Sequence, residues 1–379
     1  MSFDPLPLST SQETAAGDTP HRMDRRRFLK ILMTAAAAVG LSSTTALRWA
    51  EAAAASKLKP SVIWLHFQEC TGCTESLLRT SHPDIARLIL ELVSLDYHET
   101  LLAAAGHQAE QALRDAMAAR KGEYVLVVEG AIPTKDGGIY CMIGGRTARE
   151  MLEETARDAG AIIAIGSCAS FGGLPAADPN PTGAVGVGGV VTGRPVVTIP
   201  GCPPNPYNFL GTVLQYVTMG RLPELDALGR PRFAYGRTIH EHCPRRPHFD
   251  AGHFAEHYGD AAHREGACLY RLGCKGPMTH ANCSTQHFGE TNAWPIGIGH
   301  PCIGCTEQAL LWRTSVVETV EIEHPTPPDT YPPAHAEHGG VSPAATGLAG
   351  LAAGALLGAG AAYARRLDRE LGEEPDEEA

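Results

Sequence analysis

Four apolar runs of strand length, set apart by helical stretches, constrain this chain most: Ser61–Phe67 (SVIWLHF), Tyr124–Glu129 (YVLVVE), Ala161–Ile165 (AIIAI) and Pro195–Ile199 (PVVTI). ELVSLDY, Glu91–Tyr97, holds a candidate fifth. Helical stretches at Pro83–Val93, His107–Arg120 and Arg146–Ala159 fall between them. Alternation of this kind implies βαβ units, so we expect an α/β domain over 59–221: a doubly wound parallel sheet with helices on both faces. After Leu222 the pattern fades and Pro, Gly, His and Cys become frequent, so 222–323 is expected to be mostly irregular and ordered by cross-links. Residues 324–340, HPTPPDTYPPAHAEHGG, read as an extended linker.

The eleven cysteines supply those cross-links, and their positions follow the strands. Cys70 and Cys73 come after the first run, Cys168 in GSCASFGG after the third, and Cys202 in PGCPPNP after the fourth. Loops at the carboxyl edge of a parallel sheet share one side of it, where ligands bind near the change in strand order. Four thiols from three loops can therefore converge, and Gly72, Gly166, Gly172, Gly173 and Gly201 beside them permit close approach of a bulky inorganic group. In 222–323, HEHC (His240–Cys243) precedes CLYRLGCKGP with Cys268 and Cys274, giving three cysteines and a histidine. Cys283 in ANCS and Cys302 and Cys305 in HPCIGC make a set of three. Cys141, in GGIYCMIGG, has no neighbouring candidate ligand and reads as a core thiol.

An odd cysteine count, two CxxC pairs and a long chain fit poorly with a disulfide scaffold. Haem attachment at either pair would need a following histidine where Thr74 and Thr306 stand. Structural zinc suits four ligands but not three; iron-sulfur clusters accept cysteines and an occasional histidine, and are preferred with zinc left open.

The two ends speak to location. Residues 1–55 contain Arg25-Arg26 in DRRRFLK, an Ala-rich apolar stretch and a small-residue exit, which read as a cleavable export signal resembling the twin-arginine type, with Asp24 where Ser or Thr is more usual. From 341 to 363 no residue is charged, and about 20 such residues span a bilayer, so this is a candidate transmembrane helix. Gly350, Gly354 and Gly358 lie on one face of it, a small-residue strip that admits a second helix. Arg365 and Arg366 follow, which favours a cytoplasmic acidic tail over 364–379. The formal charge of -11 argues against a nucleic-acid partner.

Taken together, the double-arginine signal, CTGCTES, GSCASFGG, PGCPPNP, IHEHCP, CLYRLGCKGP and HPCIGC resemble the small subunit of membrane-bound nickel-iron hydrogenases of the periplasmic uptake type. The resemblance implies a flavodoxin-like first domain and an iron-sulfur second domain, with two [4Fe-4S] clusters and one [3Fe-4S] cluster in line. By it, Cys70, Cys73, Cys168 and Cys202 bind a proximal [4Fe-4S] cluster, and His240, Cys243, Cys268 and Cys274 a distal one. His240 rather than His242 is chosen because the family pattern is His-x-x-Cys. Cys283, Cys302 and Cys305 match a medial [3Fe-4S] cluster, with Pro295 where a fourth cysteine would be needed. Gly72 and Gly173 stand where oxygen-tolerant members carry two further cysteines, which implies the standard, oxygen-sensitive type.

It further implies that the nickel-iron site lies in a large partner protein that covers the face around Cys70 and Cys168. Electrons from hydrogen oxidation there would pass through the three clusters to a membrane cytochrome b or similar quinone-linked acceptor. Export by the twin-arginine route would carry the folded pair to the periplasmic face of the cytoplasmic membrane. Glu75, two residues after Cys73, reads as a first-turn helix carboxylate, with proton transfer or cluster tuning as the alternative.

Overall fold

A computed structural model describes residues 59–81, 85–87, 93–288, 293–323, 327 and 343–371. The expected export signal, nearly all of the expected linker, most of the Pro83–Val93 stretch and the end of the acidic C-terminal stretch lie outside the described residues.

Five parallel strands form the central sheet: β1 (Ser61–His66), β2 (Ser94–His98), β3 (Val125–Glu129), β4 (Ala161–Ile165) and β5 (Val197–Ile199), in the order β2-β1-β3-β4-β5. Val62 of β1 pairs with Val125 of β3, which pairs with Ala161 of β4, so the three central strands end level at His66, Glu129 and Ile165. Side chains alternate between two buried layers. Val62, Trp64, Val125, Val127, Ile163 and Ile165 face one, and Ile63, Leu65, Leu126, Val128, Ile162 and Ala164 face the other.

The second layer is covered by α2 (His107–Ala119) through Leu113 and by α3 (Ala148–Arg157) through Met151 and Leu152. Thr147 starts α3 with a capping box, its hydroxyl accepting from the Glu150 amide and the Glu150 carboxylate accepting from the Thr147 amide. The first layer is covered by α5 (Pro206–Met219) through Tyr207, Phe209, Leu210 and Val213. Asn205 caps α5, Pro206 occupies its first turn and left-handed Gly220 closes it, the signals that start and stop a helix. The short helix α4 (Gly166–Phe171) follows β4 directly, and α1 (Gly72–Leu78) follows β1 after a short loop.

Residues 222–323 add to the first layer. Tyr235, Ile239, Leu269, Trp294 and Ile296 belong to the same buried cluster as Val62 and Trp64. Among the described residues of this segment the longest helices are Arg246–Asp250 and Ala261–Glu265, five residues each. Side-chain bonds also tie it together, notably Arg230 with Asp226 and Glu307.

The C-terminal unit contributes α6 (Pro343–Leu371). Its stretch Gly347–Arg366 is 20 residues long, unburied, and long and apolar enough to cross a membrane. A Cβ at Gly350, Gly354 or Gly358 would meet nothing within 4 Å.

Candidate functional site

The carboxyl edge of the sheet gathers the first four cysteines. α1 starts within the CTGC loop after β1, α4 carries Cys168 after β4, and Cys202 lies between β5 and α5. Three observations tie the loops to one point. The Cys73 Sγ lies 3.9 Å from the Ile165 carbonyl oxygen at the end of β4. A Cβ on Gly166 would sit 2.4 Å from that sulfur, and one on Gly173 would sit 2.7 Å from Cys168 Sγ. The Ser167 amide donates to the Gly201 carbonyl while the Gly201 amide donates to Ser167 Oγ, both at 3.0 Å, which locks the Cys168 and Cys202 loops together. The glycines thus leave a cradle that a methyl group would fill.

Burial first, and then mutual charge, governs these thiols. Burial, Glu129 and the other three cysteines push Cys73 well above its ordinary range; burial pushes Cys168 up to about 11 and also raises Cys202. Left to themselves Cys73, Cys168 and Cys202 keep their protons. A cationic metal core is what stabilises a set of adjacent buried thiolates, and loading must release protons.

His240, Cys243, Cys268 and Cys274 line one small cavity with Ile296. The histidines of HEHC differ in kind there. His242 Nε2 is 2.9 Å from the Arg237 guanidinium, whereas His240 Nε2 is buried with no hydrogen-bond partner. The His240 ring packs edge-on against Phe249, with centroids 4.5 Å apart. Burial, then the Arg246 charge, lowers its pKa to about 4, so the imidazole is neutral and its lone pair free near pH 7. An orphaned nitrogen beside three thiols is the mark of a missing partner atom, and a metal supplies one. Burial raises Cys243 and Cys268 to about 12 and raises Cys274 as well.

Cys283, Cys302 and Cys305 line a larger, mainly apolar cavity of about 370 Å³ with Trp294, Pro295 and Ile296. Burial raises all three thiols, Cys283 and Cys305 to about 12. Cys202 of the first set borders the same cavity, and Ile296 also borders the His240 cavity. Backbone contacts make the series explicit. Ser167 Oγ, next to Cys168, donates to the Cys305 carbonyl, and the Lys275 amide, next to Cys274, donates to the Cys302 carbonyl at 2.8 Å. The three-cysteine set therefore lies between the other two. Cys141 stands apart and packs against the second core layer. Glu75, on α1, is exposed and lies 3.7 Å from Arg79 just past the end of that helix.

Three residues that the sequence reading did not single out hold these sets. Ser167 is the bridge just described. Lys275 is fully buried beside Cys274 and Cys302, its Nζ donating to the Ser315 and Glu318 carbonyls at 2.8 and 3.0 Å. A buried lysine must be paired, and its place directly after Cys274 was its visible signal. Glu129 ends β3 at 1% exposure and binds the CTGC loop. A charged residue closing an apolar strand at the carboxyl edge was the signal there. Ligand atoms of His66, Glu69 and Glu129 also lie within 4.8 Å of one another. Both Glu129 oxygens are engaged by protein donors, which ties the trio into the support of the CTGC loop.

Comparison with known proteins accounts for the arrangement. Residues 235–318 match the family model for the C-terminal part of NiFe/NiFeSe hydrogenase small subunits, and residues 70–216 match that described as "NADH ubiquinone oxidoreductase, 20 Kd subunit". The chain is 51% identical over 352 residues to the hydrogenase-2 small chain of Escherichia coli K12, covering 92% of this chain and 94% of that one. It is 49% identical over 294 residues to the uptake hydrogenase small subunit of Azotobacter vinelandii, covering 78% and 82%. The Ni-Fe-Se hydrogenase of Desulfomicrobium baculatum superposes with a TM-score of 0.63 at 35% identity, covering 66% of this chain and 95% of that one. On this evidence the chain belongs to the small-subunit family of nickel-iron hydrogenases, the electron-transfer half of a two-subunit enzyme.

Proposed function

We propose that the three donor sets hold iron-sulfur clusters in series: a proximal [4Fe-4S] cluster on Cys70, Cys73, Cys168 and Cys202, a medial [3Fe-4S] cluster on Cys283, Cys302 and Cys305, and a distal [4Fe-4S] cluster on His240, Cys243, Cys268 and Cys274. Such clusters supply one-electron transfer. The observation that carries this reading is the serial contact of the sets, Ser167 with Cys305 and Lys275 with Cys302. The chain's own part is to fix the order of the sets, bury them and exclude water. Pro295 closes the medial cavity without offering a fourth thiol. Electron paramagnetic resonance and metal analysis of the purified heterodimer test the reading. We expect iron and sulfide for two four-iron clusters and one three-iron cluster, over and above the iron of the partner's nickel-iron site; stoichiometric zinc without resonance would overturn it.

The strand order β2-β1-β3-β4-β5 supports a flavodoxin-like first domain over 59–221, with 222–323 as the iron-sulfur domain. Cys70 and Cys202 are exposed, as is Leu174 at 62%, next to the Gly173 that abuts Cys168. An open apolar face around thiols is what a large subunit with the nickel-iron site would cover. Electrons would then run from hydrogen oxidised at the partner to a quinone-linked membrane acceptor such as a cytochrome b. The length and exposure of Gly347–Arg366 support a membrane anchor, and the double arginine at Arg25-Arg26 supports export to the periplasmic face. Deleting residues 341–379 should move the heterodimer from the membrane to the soluble fraction with hydrogen-dependent dye reduction retained. Unchanged attachment after the deletion would refute the anchor.

A further inference from the structure

We propose that Glu129 is a positioning residue for the proximal set, a fixed buried carboxylate that holds Cys73 in place and keeps the reduction potential of the cluster there low. The inference rests on the reading above that Cys70, Cys73, Cys168 and Cys202 bind a cluster.

Glu129 is the last residue of β3, level with His66 of β1 and Ile165 of β4. Its Oε1 accepts from the Cys73 amide at 3.0 Å and the Thr74 amide at 3.4 Å. Its Oε2 accepts from the Thr74 hydroxyl at 2.7 Å and the Trp64 indole N–H at 3.2 Å. Amide and indole N–H groups only donate, so both carboxylate oxygens are held in place as acceptors. Two consequences follow. The Cys73 amide is engaged by the carboxylate and cannot turn toward a cluster sulfur, where a donated hydrogen bond would favour the reduced state. The negative charge is fixed close to the Cys73 thiolate, where adding an electron to an already anionic group is resisted.

A carboxylate that merely satisfied loose amides would influence folding but not potential, and potentiometric electron paramagnetic resonance of the purified heterodimer separates the two. In Glu129→Gln, which keeps the size and one acceptor, the proximal midpoint should rise while the medial and distal midpoints stay put. The expected change is about tenfold in the reduction equilibrium, ~59 mV for one electron. Trp64→Phe lies outside the loop and leaves the carboxylate with one donor fewer, so the same midpoint should fall by a smaller amount. Opposite signs support the proposal; unmoved midpoints, or equal signs, with full iron content overturn it. If Glu129→Gln loses the proximal cluster, Trp64→Phe decides alone, a fall supporting and no shift overturning. Absence of any proximal cluster signal from the wild-type heterodimer would instead sink the ligand assignment.

Discussion

Replacing Gly166 with alanine is expected to strip the proximal set of its cluster while leaving the medial and distal sets loaded. Gly166 starts α4 directly after β4 with φ of +83°, a conformation that costs an L-residue about 1 kcal/mol. The added Cβ would lie 2.4 Å from Cys73 Sγ, so one of them must move. A surface side chain could swing aside, but a ligand sulfur that moves no longer points at its metal. The Gly166 backbone has little room to yield, because the next amide, that of Ser167, is bonded to the Gly201 carbonyl at 3.0 Å. Iron per heterodimer should fall by the content of one four-iron cluster, and hydrogen-dependent dye reduction should drop to background. Gly72→Ala is the control, since its Cβ would meet Cys70 Sγ at 3.2 Å with no positive φ, and most of the cluster should survive there. A full proximal resonance in Gly166→Ala would contradict the account.

The same geometry bears on Gly72 and Gly173, where the family resemblance implies two further cysteines in oxygen-tolerant members. A Cβ at Gly173 would lie 2.7 Å from Cys168 Sγ and 2.8 Å from its Cα and amide nitrogen, with φ of +50°. The loop as folded has no room for a side chain there. Gly72 is the more permissive of the pair, so a cysteine at 173 requires a rebuilt loop and not merely an exchanged residue.

How much of this was readable depended on where each element sits in the sheet. β1, β3 and β4 lie inside the sheet, are buried along their whole length, and were legible as unbroken apolar runs. β2 and β5 are the edges. β2 reads SLDYH with its first three residues half-exposed, and it begins three positions later than the apolar run suggested. β5 is shortened to Val197–Ile199 because Arg194, just before it, is turned onto the carbonyls of Ala156, Arg157 and Ala159. α5 was missed for the opposite reason: PYNFLGTVLQYVTM is buried nearly all round, so no polar stripe marks it as a helix. Only its caps, Asn205, Pro206 and Gly220, announced it. The cysteines after the strands pointed to a common edge through topology alone. Their cross-contacts did not: Ser167 and Lys275 adjoin Cys168 and Cys274 in the sequence but reach Cys305 and Cys302 only through folding, as Glu129 reaches Cys73.

Arg230→Met is the second substitution with a large expected effect, and it acts on stability through the medial loop. Arg230 is 4% exposed. Its Nε donates to Asp226 Oδ2 at 2.7 Å, and its Nη1 donates to Glu307 Oε1 at 2.8 Å and to the Thr306 carbonyl at 3.1 Å. Thr306 and Glu307 directly follow Cys305, and Glu307 Oε1 also accepts the His280 amide at 2.7 Å. The arginine therefore joins the 226–230 turn to the stretches of chain on both sides of the medial set. Methionine fills part of the volume but leaves two largely buried carboxylates without their cation, a change that costs about 3–5 kcal/mol. Asp226 and Glu307 keep 17% and 14% exposure, so the lower end, ~3 kcal/mol, applies. Heating should then bleach the clusters roughly 5–10 °C earlier, with the medial resonance lost first. Acid behaviour checks the cause. Burial pushes the Glu307 carboxyl up, but the His280 hydrogen bonds and the Arg230 charge outweigh it and hold it below its ordinary value. A depressed carboxyl stabilises above its unfolded pKa and loses that stability as pH falls through the folded one. Without Arg230 the carboxyl rises, so acid loss of the clusters should begin at higher pH than in the wild type. Adding Glu307→Gln to Arg230→Met removes one stranded charge and should recover part of the lost thermal stability. A double variant no more stable than the single one would mean that lost packing, and not the unpaired carboxylate, dominates.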